Sequence, residues 1–338
     1  MPRHVGRAAL AFSVTALLLL VGAAPSYAGP APTALGRAES DDPVGGELLS
    51  GSGVVVDAGA DAPALPTVKA KAYVVADAET GEVLAARAPH APYRPASTLK
   101  VLTALTLLPE LPPDSEYVAR DEDARAEGSR VGLVPDHTYT VHQLFQGLLM
   151  VSGNDAASAV ANAAGGLRPT VRKMNAMADH LQAYDTTAVN SSGLDAPGQF
   201  SSAYDLALLG RAALAEERLR QYTTATKATF PGKGKKTYEI WTINRLLYNF
   251  DGTIGVKTGW TTKARGTYIG AARRGGRTLI ATVMHTEDDS WQDSERLLRW
   301  GFHAAGTVEP VGALVGPAEH GDAPDRPGSG AAASSGTA

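Results

Sequence analysis

Between residues 69 and 305 the apolar positions change their period three times. Ala72-Tyr73-Val74-Val75-Ala76 and Glu82-Val83-Leu84-Ala85-Ala86 are apolar runs of strand length. The turn-forming Asp77-Ala78-Glu79-Thr80-Gly81 between them predicts a β-hairpin. From Ser97 the period becomes helical. Leu99, Val101, Leu102, Leu105, Leu107 and Leu108 cover nearly every face, which places this helix inside a domain, and Pro109, Pro112 and Pro113 stop it. Residues 115–145 mix charge, glycine and short β-prone pieces. Thr140 to Met150, the alanines of 156–164, Leu167 to Gln182 and Ser202 to about Glu217 then read as four further helices, with Asn190-Ser191-Ser192-Gly193-Leu194 as a loop. From Ala228 strands return. Thr237 to Thr242 alternates, Ile254 to Gly259 is a strand leading into a turn, and Thr267–Ala272 and Leu279–His285 flank the hairpin turn Arg273 to Arg277. Asp289 to Phe302 is a last amphipathic helix carrying Trp291, Leu297, Leu298 and Trp300.

The order strand hairpin, helices, strand meander, helix predicts a mixed α/β (α+β) domain. In it an antiparallel sheet is flanked by helices and an all-helical subdomain is inserted. The core domain is expected over 67–305. Residues 1–28 read as a secretory signal: Arg3, His4 and Arg7 precede an apolar stretch from Ala8 to Ala24, and Ser26-Tyr27-Ala28 supplies small residues for cleavage. Residues 29–66 read as a flexible low-complexity leader and 306–338 as a disordered tail rich in Gly, Ala, Ser and Pro. The mature chain is therefore expected outside the cytoplasm, secreted or held in the cell wall, with no clear membrane anchor.

Composition narrows the chemistry. The 338 residues are 44% hydrophobic and carry a net charge of −4, which gives no basic face for nucleic acid. The chain has no cysteine, so disulfides, thiol nucleophiles and cysteine zinc sites are excluded. Its eight histidines include no His-Glu-x-x-His, so no metal site or cofactor is expected.

What remains is serine chemistry. Ser97 and Lys100 stand three residues apart at the start of the buried helix, where they share one face. A lysine buried beside a serine can lose its charge and take the hydroxyl proton, and free N–H groups at a helix start can hold an oxyanion. Alone, Ser-x-x-Lys also describes an N-cap serine followed by a surface lysine. Two more motifs decide against that: Ser152-Gly153-Asn154 in a turn between helices, and Lys257-Thr258-Gly259 on a strand.

With these three motifs the chain resembles the low-molecular-weight penicillin-binding proteins, the serine D-alanyl-D-alanine carboxypeptidase family. Tyr73 to Asp77, Thr80-Gly81, Pro95-Ala96-Ser97, Asn190 to Leu194, Asn244-Arg245-Leu246-Leu247 and Gly255 to Thr261 carry the likeness further. The resemblance implies the β-lactamase/DD-peptidase-like fold, stem peptides ending in D-Ala-D-Ala as substrates, and β-lactam antibiotics as covalent inhibitors. It implies Ser97 as nucleophile, Lys100 as base, Ser152 as a proton relay and Asn154 as a group that orients substrate and Lys100. Lys257 and Thr258 would take the terminal carboxylate, Gly259 would let the substrate approach the strand edge, and the N–H groups of Ser97 and Trp260 would form the oxyanion hole. Arg265 is a weaker carboxylate candidate, and Lys233, Lys235 and Lys236 read as a solvated loop. A DD-transpeptidase, a serine β-lactamase and an inactive stem-peptide-binding protein share the motifs. No glutamate occurs from Asp155 through Ala215, where a class A β-lactamase places its deacylating base. The nearest loop carboxylates, Asp185 and Asp195, are shorter by a methylene.

Overall fold

A computed structural model describes residues 43–318. The signal-like residues 1–28 lie outside the described residues. Strands β1 (Ala72–Asp77) and β2 (Glu82–Arg87) form the expected hairpin. The returning strands are β3 (Thr253–Thr261), β4 (Arg265–Arg274) and β5 (Arg277–Thr286). The antiparallel order across the sheet is β2-β1-β5-β4-β3, so β3 is an edge. The strand expected to turn at Gly259 runs on to Thr261, because β4 pairs with it as far as Arg265↔Thr261.

The two faces of the sheet bury different clusters, and the strand period assigns them. On β1, Ala72, Val74 and Ala76 face the helical insert, while Tyr73 and Val75 face the opposite side. On β5, Ile280 and Met284 join the first cluster, and Leu279, Ala281 and Val283 the second. All six residues of β1 are buried, as expected of a central strand covered on both faces. Helix α7 (Ser290–Ala304) covers the second face with Leu297, Leu298 and Trp300.

On the first face the chain enters α1 (Lys100–Leu107) through a 3₁₀ turn at Ala96–Leu99. All eight α1 residues are buried, which is why nearly every face of that stretch is apolar. The insert carries α2 (Val141–Leu149), α3 (Asn154–Ala163), α4 (Leu167–His180), α5 (Ala203–Ala215) and α6 (Glu217–Thr223). Thr140 caps α2 through Gln143 in a reciprocal capping box. The insert is not purely helical. Glu116–Val118 pairs with Thr138–Thr140, and Lys227–Pro231 with Thr237–Trp241.

The packed unit also begins before residue 67 and ends after residue 305. Leu49 is buried, and Val54–Val55 adds to the edge of β2. Val308–Glu309 pairs with Asp57–Ala58, and Gly312–Ala313 pairs with β2. Val308, Val311 and Leu314 are buried. The boundaries expected at 66 and 306 move outward because apolar patches of one to three residues in Gly/Ala-rich surroundings dock on an existing sheet edge and need no sustained period.

Candidate active site

The three motifs converge. In the 3₁₀ turn, side chains three residues apart eclipse one another, so Ser97 and Lys100 stack. Lys100 Nζ lies 2.9 Å from Ser97 Oγ. It donates to Asn154 Oδ1 at 2.6 Å and to the Ser192 carbonyl at 2.7 Å. Lys257 Nζ reaches across from the edge strand to Ser152 Oγ at 2.8 Å and to the Thr258 carbonyl at 2.7 Å. The serines and lysines thus form two parallel pairs, one on the α1 entry and one bridging the α2–α3 turn to β3.

Close backbone approach holds the walls together. A Cβ on Gly259 would stand 2.8 Å from Ser97 N and 3.0 Å from Thr98 N, so only glycine lets β3 lie against the turn that carries Ser97. Thr267 Oγ1 on β4 and Thr98 Oγ1 both donate to the Pro95 carbonyl, at 2.8 and 2.6 Å, which fixes the entry to that turn. Ala96 and Ser152 both adopt left-handed φ, 48° and 61°. For residues with a side chain this is a strained conformation that persists only when the surroundings impose it.

Burial sets the electrostatics. Lys100 is fully buried, and its pKa is held well below the usual lysine value by lost hydration and then by the charge of Lys257, with Asp155 acting in opposition. Burial alone brings Lys257 down to about 7. Lys257 can therefore exchange protons near neutral pH, and Lys100 is pushed toward its neutral form.

Thr258 is half-buried at the cleft edge beside Gly259, and Trp260 is 65% exposed at the rim. Arg265 is exposed and makes no ion pair among the described residues, so nothing in the arrangement draws it into the site. Lys233, Lys235 and Lys236 are exposed in the loop before Thr237.

Sequence reasoning missed three supports. Asp155 is fully buried, and its carboxylate accepts from the N–H groups of Val131, Gly132 and Leu133 at 2.9, 2.7 and 3.0 Å, fastening 131–133 to α3. Asn154 Nδ2 donates to the Glu127 carbonyl at 2.6 Å, which orients the amide toward Lys100. The 190–195 loop supplies Ser192, packs Gly193 on Ala96, and ties Asp195 Oδ1 to Thr261 Oγ1 at 3.0 Å. That loop was visible as Asn190 to Leu194. Its function was not, because it acts through backbone atoms.

A family model described as D-alanyl-D-alanine carboxypeptidase matches residues 59–288. The chain belongs to this family of serine peptidases. It is 42% identical over 257 residues to the D-alanyl-D-alanine carboxypeptidase DacB2 of Mycobacterium tuberculosis, covering 74% of this chain and 88% of that protein. It is 34% identical over 261 residues to DacC of Escherichia coli, covering 73% of this chain and 64% of that longer protein. A crystal structure of a D-alanyl-D-alanine carboxypeptidase from M. tuberculosis superposes with a TM-score of 0.70 at 41% identity, over 77% of this chain and 99% of that one. A variant of a Streptomyces DD-transpeptidase superposes at 0.67 with 26% identity, over 70% and 99%. Similar proteins are thus named either carboxypeptidase or transpeptidase. Among the described residues, no helix is long and apolar enough to cross a membrane.

Proposed function

We propose that this protein removes the terminal D-alanine from peptidoglycan stem peptides ending in D-Ala-D-Ala, through an acyl-enzyme on Ser97, in the extracytoplasmic space. The observation that carries the reading is the set of neighbours around Lys100 Nζ. A neutral amine has two N–H groups and one lone pair. Asn154 Oδ1 and the Ser192 carbonyl only accept, so they take the two N–H groups. The third neighbour is the Ser97 hydroxyl, which alone of the three can donate, so the lone pair faces its proton. A lysine kept neutral by burial and held in this way is a general base.

In the proposed reaction Ser97 Oγ attacks the carbonyl between the two D-alanines as its proton passes to Lys100. The developing oxyanion is taken by the N–H groups of Ser97 and Trp260. Ser152, bridged to Lys257, returns a proton to the departing amine, and Lys257 with Thr258 holds the terminal carboxylate. Water then resolves the ester, which makes the enzyme a carboxypeptidase; an amine acceptor would make the same site a transpeptidase. The same attack on a β-lactam would leave a penicilloyl ester on Ser97. Asp195, the nearest acid in the 190–195 loop, is bonded to Thr261 and is a poor substitute for a deacylating glutamate.

The test is release of free D-alanine from a tripeptide ending in D-Ala-D-Ala, compared between the parent chain and Ser97→Ala. No release by the parent would refute the proposal, as would equal release by the variant.

A further inference from the structure

A cavity of about 800 Å³ opens where the β1–β2 turn, the α5–α6 junction and the β4–β5 hairpin meet, and no residue of the three motifs lines it. Arg211, Arg220 and Arg273 do. Among the described residues none of these three has a carboxylate within ion-pair distance. The one carboxylate on the wall, Glu79, accepts from Thr278 Oγ1 at 3.2 Å. Three guanidinium groups against one carboxylate leave the wall positive, in a chain whose net charge is −4.

Two of the arginines are held in place from behind. Arg211 donates through Nε, one Nη1 and one Nη2 hydrogen to the carbonyls of Ala78, Leu314 and Glu79 at 2.9, 2.7 and 3.2 Å. That leaves two of its five N–H groups. Arg220 Nη1 lies on the Leu214 and Ala215 carbonyls at the end of α5. The Arg273 side chain is exposed and has no hydrogen-bond partner among the described residues.

We infer that this cavity binds a phosphate group carried on a small organic molecule. Like charges brought around one space without counter-charges are most stable when an anion fills it. Guanidinium groups from three separate elements suit the oxygens of a tetrahedral oxyanion, whereas a planar carboxylate is satisfied by one fork. The space is larger than one phosphate, and the Leu214 and Ile254 side chains on its wall give an organic group apolar surface to cover.

The experiment is isothermal titration of the full chain with glycerol 3-phosphate at constant ionic strength, with glutarate as a dicarboxylate of equal formal charge. It is repeated on Arg273→Gln and, as a charge-matched control away from the cavity, on Lys235→Gln. We expect saturable one-to-one binding of glycerol 3-phosphate, weaker binding of glutarate, a loss of about tenfold in Arg273→Gln and none in Lys235→Gln. Unliganded melting temperatures should stay equal, since Arg273 has no side-chain partner to lose. The inference is overturned if glycerol 3-phosphate shows no saturable binding at millimolar concentration, or binds Arg273→Gln as tightly as the parent. The arginines would then be helix-end caps and hairpin charges only.

Discussion

Gly193 tests whether the 190–195 loop positions Lys100, the proposed base. Its φ is +84°, and a Cβ built there would stand 1.8 Å from the Ala96 carbonyl oxygen. A relaxed carbon–oxygen contact needs about 3.3 Å. In Gly193→Ala the loop and the 3₁₀ turn must therefore part by roughly 1.5 Å, the difference between that contact and the built one. Both sides of the gap adjoin the proposed catalytic pair: Ser97 follows Ala96, and the Ser192 carbonyl takes an N–H of Lys100 at 2.7 Å. A displacement of about 1 Å in such a constellation costs roughly 100-fold in rate. Stability should fall as well, by about 1–2 kcal/mol for an alanine held in the left-handed region and about 1–3 kcal/mol for overpacking.

Gly198 is the matched control. Its φ is +78°, yet a Cβ there would meet nothing within 4 Å. Gly198→Ala should carry the conformational cost alone, lowering the melting temperature by about 2–8 °C for a chain of this size. The assay is the second-order rate of Ser97 acylation by a fluorescent penicillin, with thermal melts run alongside. We expect Gly198→Ala to acylate like the parent and Gly193→Ala to be about 100-fold slower. If the two variants acylate within about twofold of each other, the loop does not position Lys100 and the reasoning fails.

Lys100→Arg should give no detectable acylation while keeping the positive charge, because guanidinium does not release its proton in a protein; labelling at the parent rate would require another base. Ending the chain at residue 305 should destabilise the domain by several kcal/mol, since Val308, Val311 and Leu314 are 7%, 2% and 3% exposed and β2 loses its Gly312–Ala313 partner; an unchanged melting temperature would refute that docking. Lys257 sets a pH dependence of stability. Its folded value of about 7 lies below the usual 10.5, so the unfolded chain holds the extra proton between those two pH values, and stability should grow as pH rises through that window. Lys257→Met should shrink the growth seen in urea unfolding between pH 7 and pH 9, and an unaltered slope would mean that Lys257 is not desolvated.

The strands and helices were legible because their periods are imposed by what they face. The stretch from Leu99 to Leu108, apolar on nearly every face, became a fully buried helix, and the two hairpins stand where their turn residues place them. The three motifs were legible because each consists of side chains at short range in sequence. The supports were not. Asp155 looks like a helix N-terminal acid until the 131–133 segment folds onto it from 22 to 24 residues away. Ser192 contributes a carbonyl, which every residue has. The ends of the unit were misplaced because Leu49, Val311 and Leu314 sit in apolar patches of one or two residues, and so short a patch shows no period.

The charges explain why the motifs occur as a set. Lys100 and Lys257 are both buried, and Asp155 is the one carboxylate whose charge acts on Lys100. Burying an unpaired charge is costly, and burying two like charges together is costlier. One anion cannot offset two ammonium groups, so one amine is driven neutral. Lys100 is the amine whose pKa carries a second lowering influence, and that influence is Lys257 itself. The lysine on the edge strand therefore has two consequences. In the proposed reaction its charge would meet the substrate carboxylate, and the same charge, felt across the site, adds to burial in lowering the pKa of Lys100, the proposed base. Asp155 moderates this coupling while fastening 131–133 to the helix that carries Asn154. A Ser-x-x-Lys pair at the start of a helix without the second buried lysine would retain only the desolvation that lowers the pKa of its lysine.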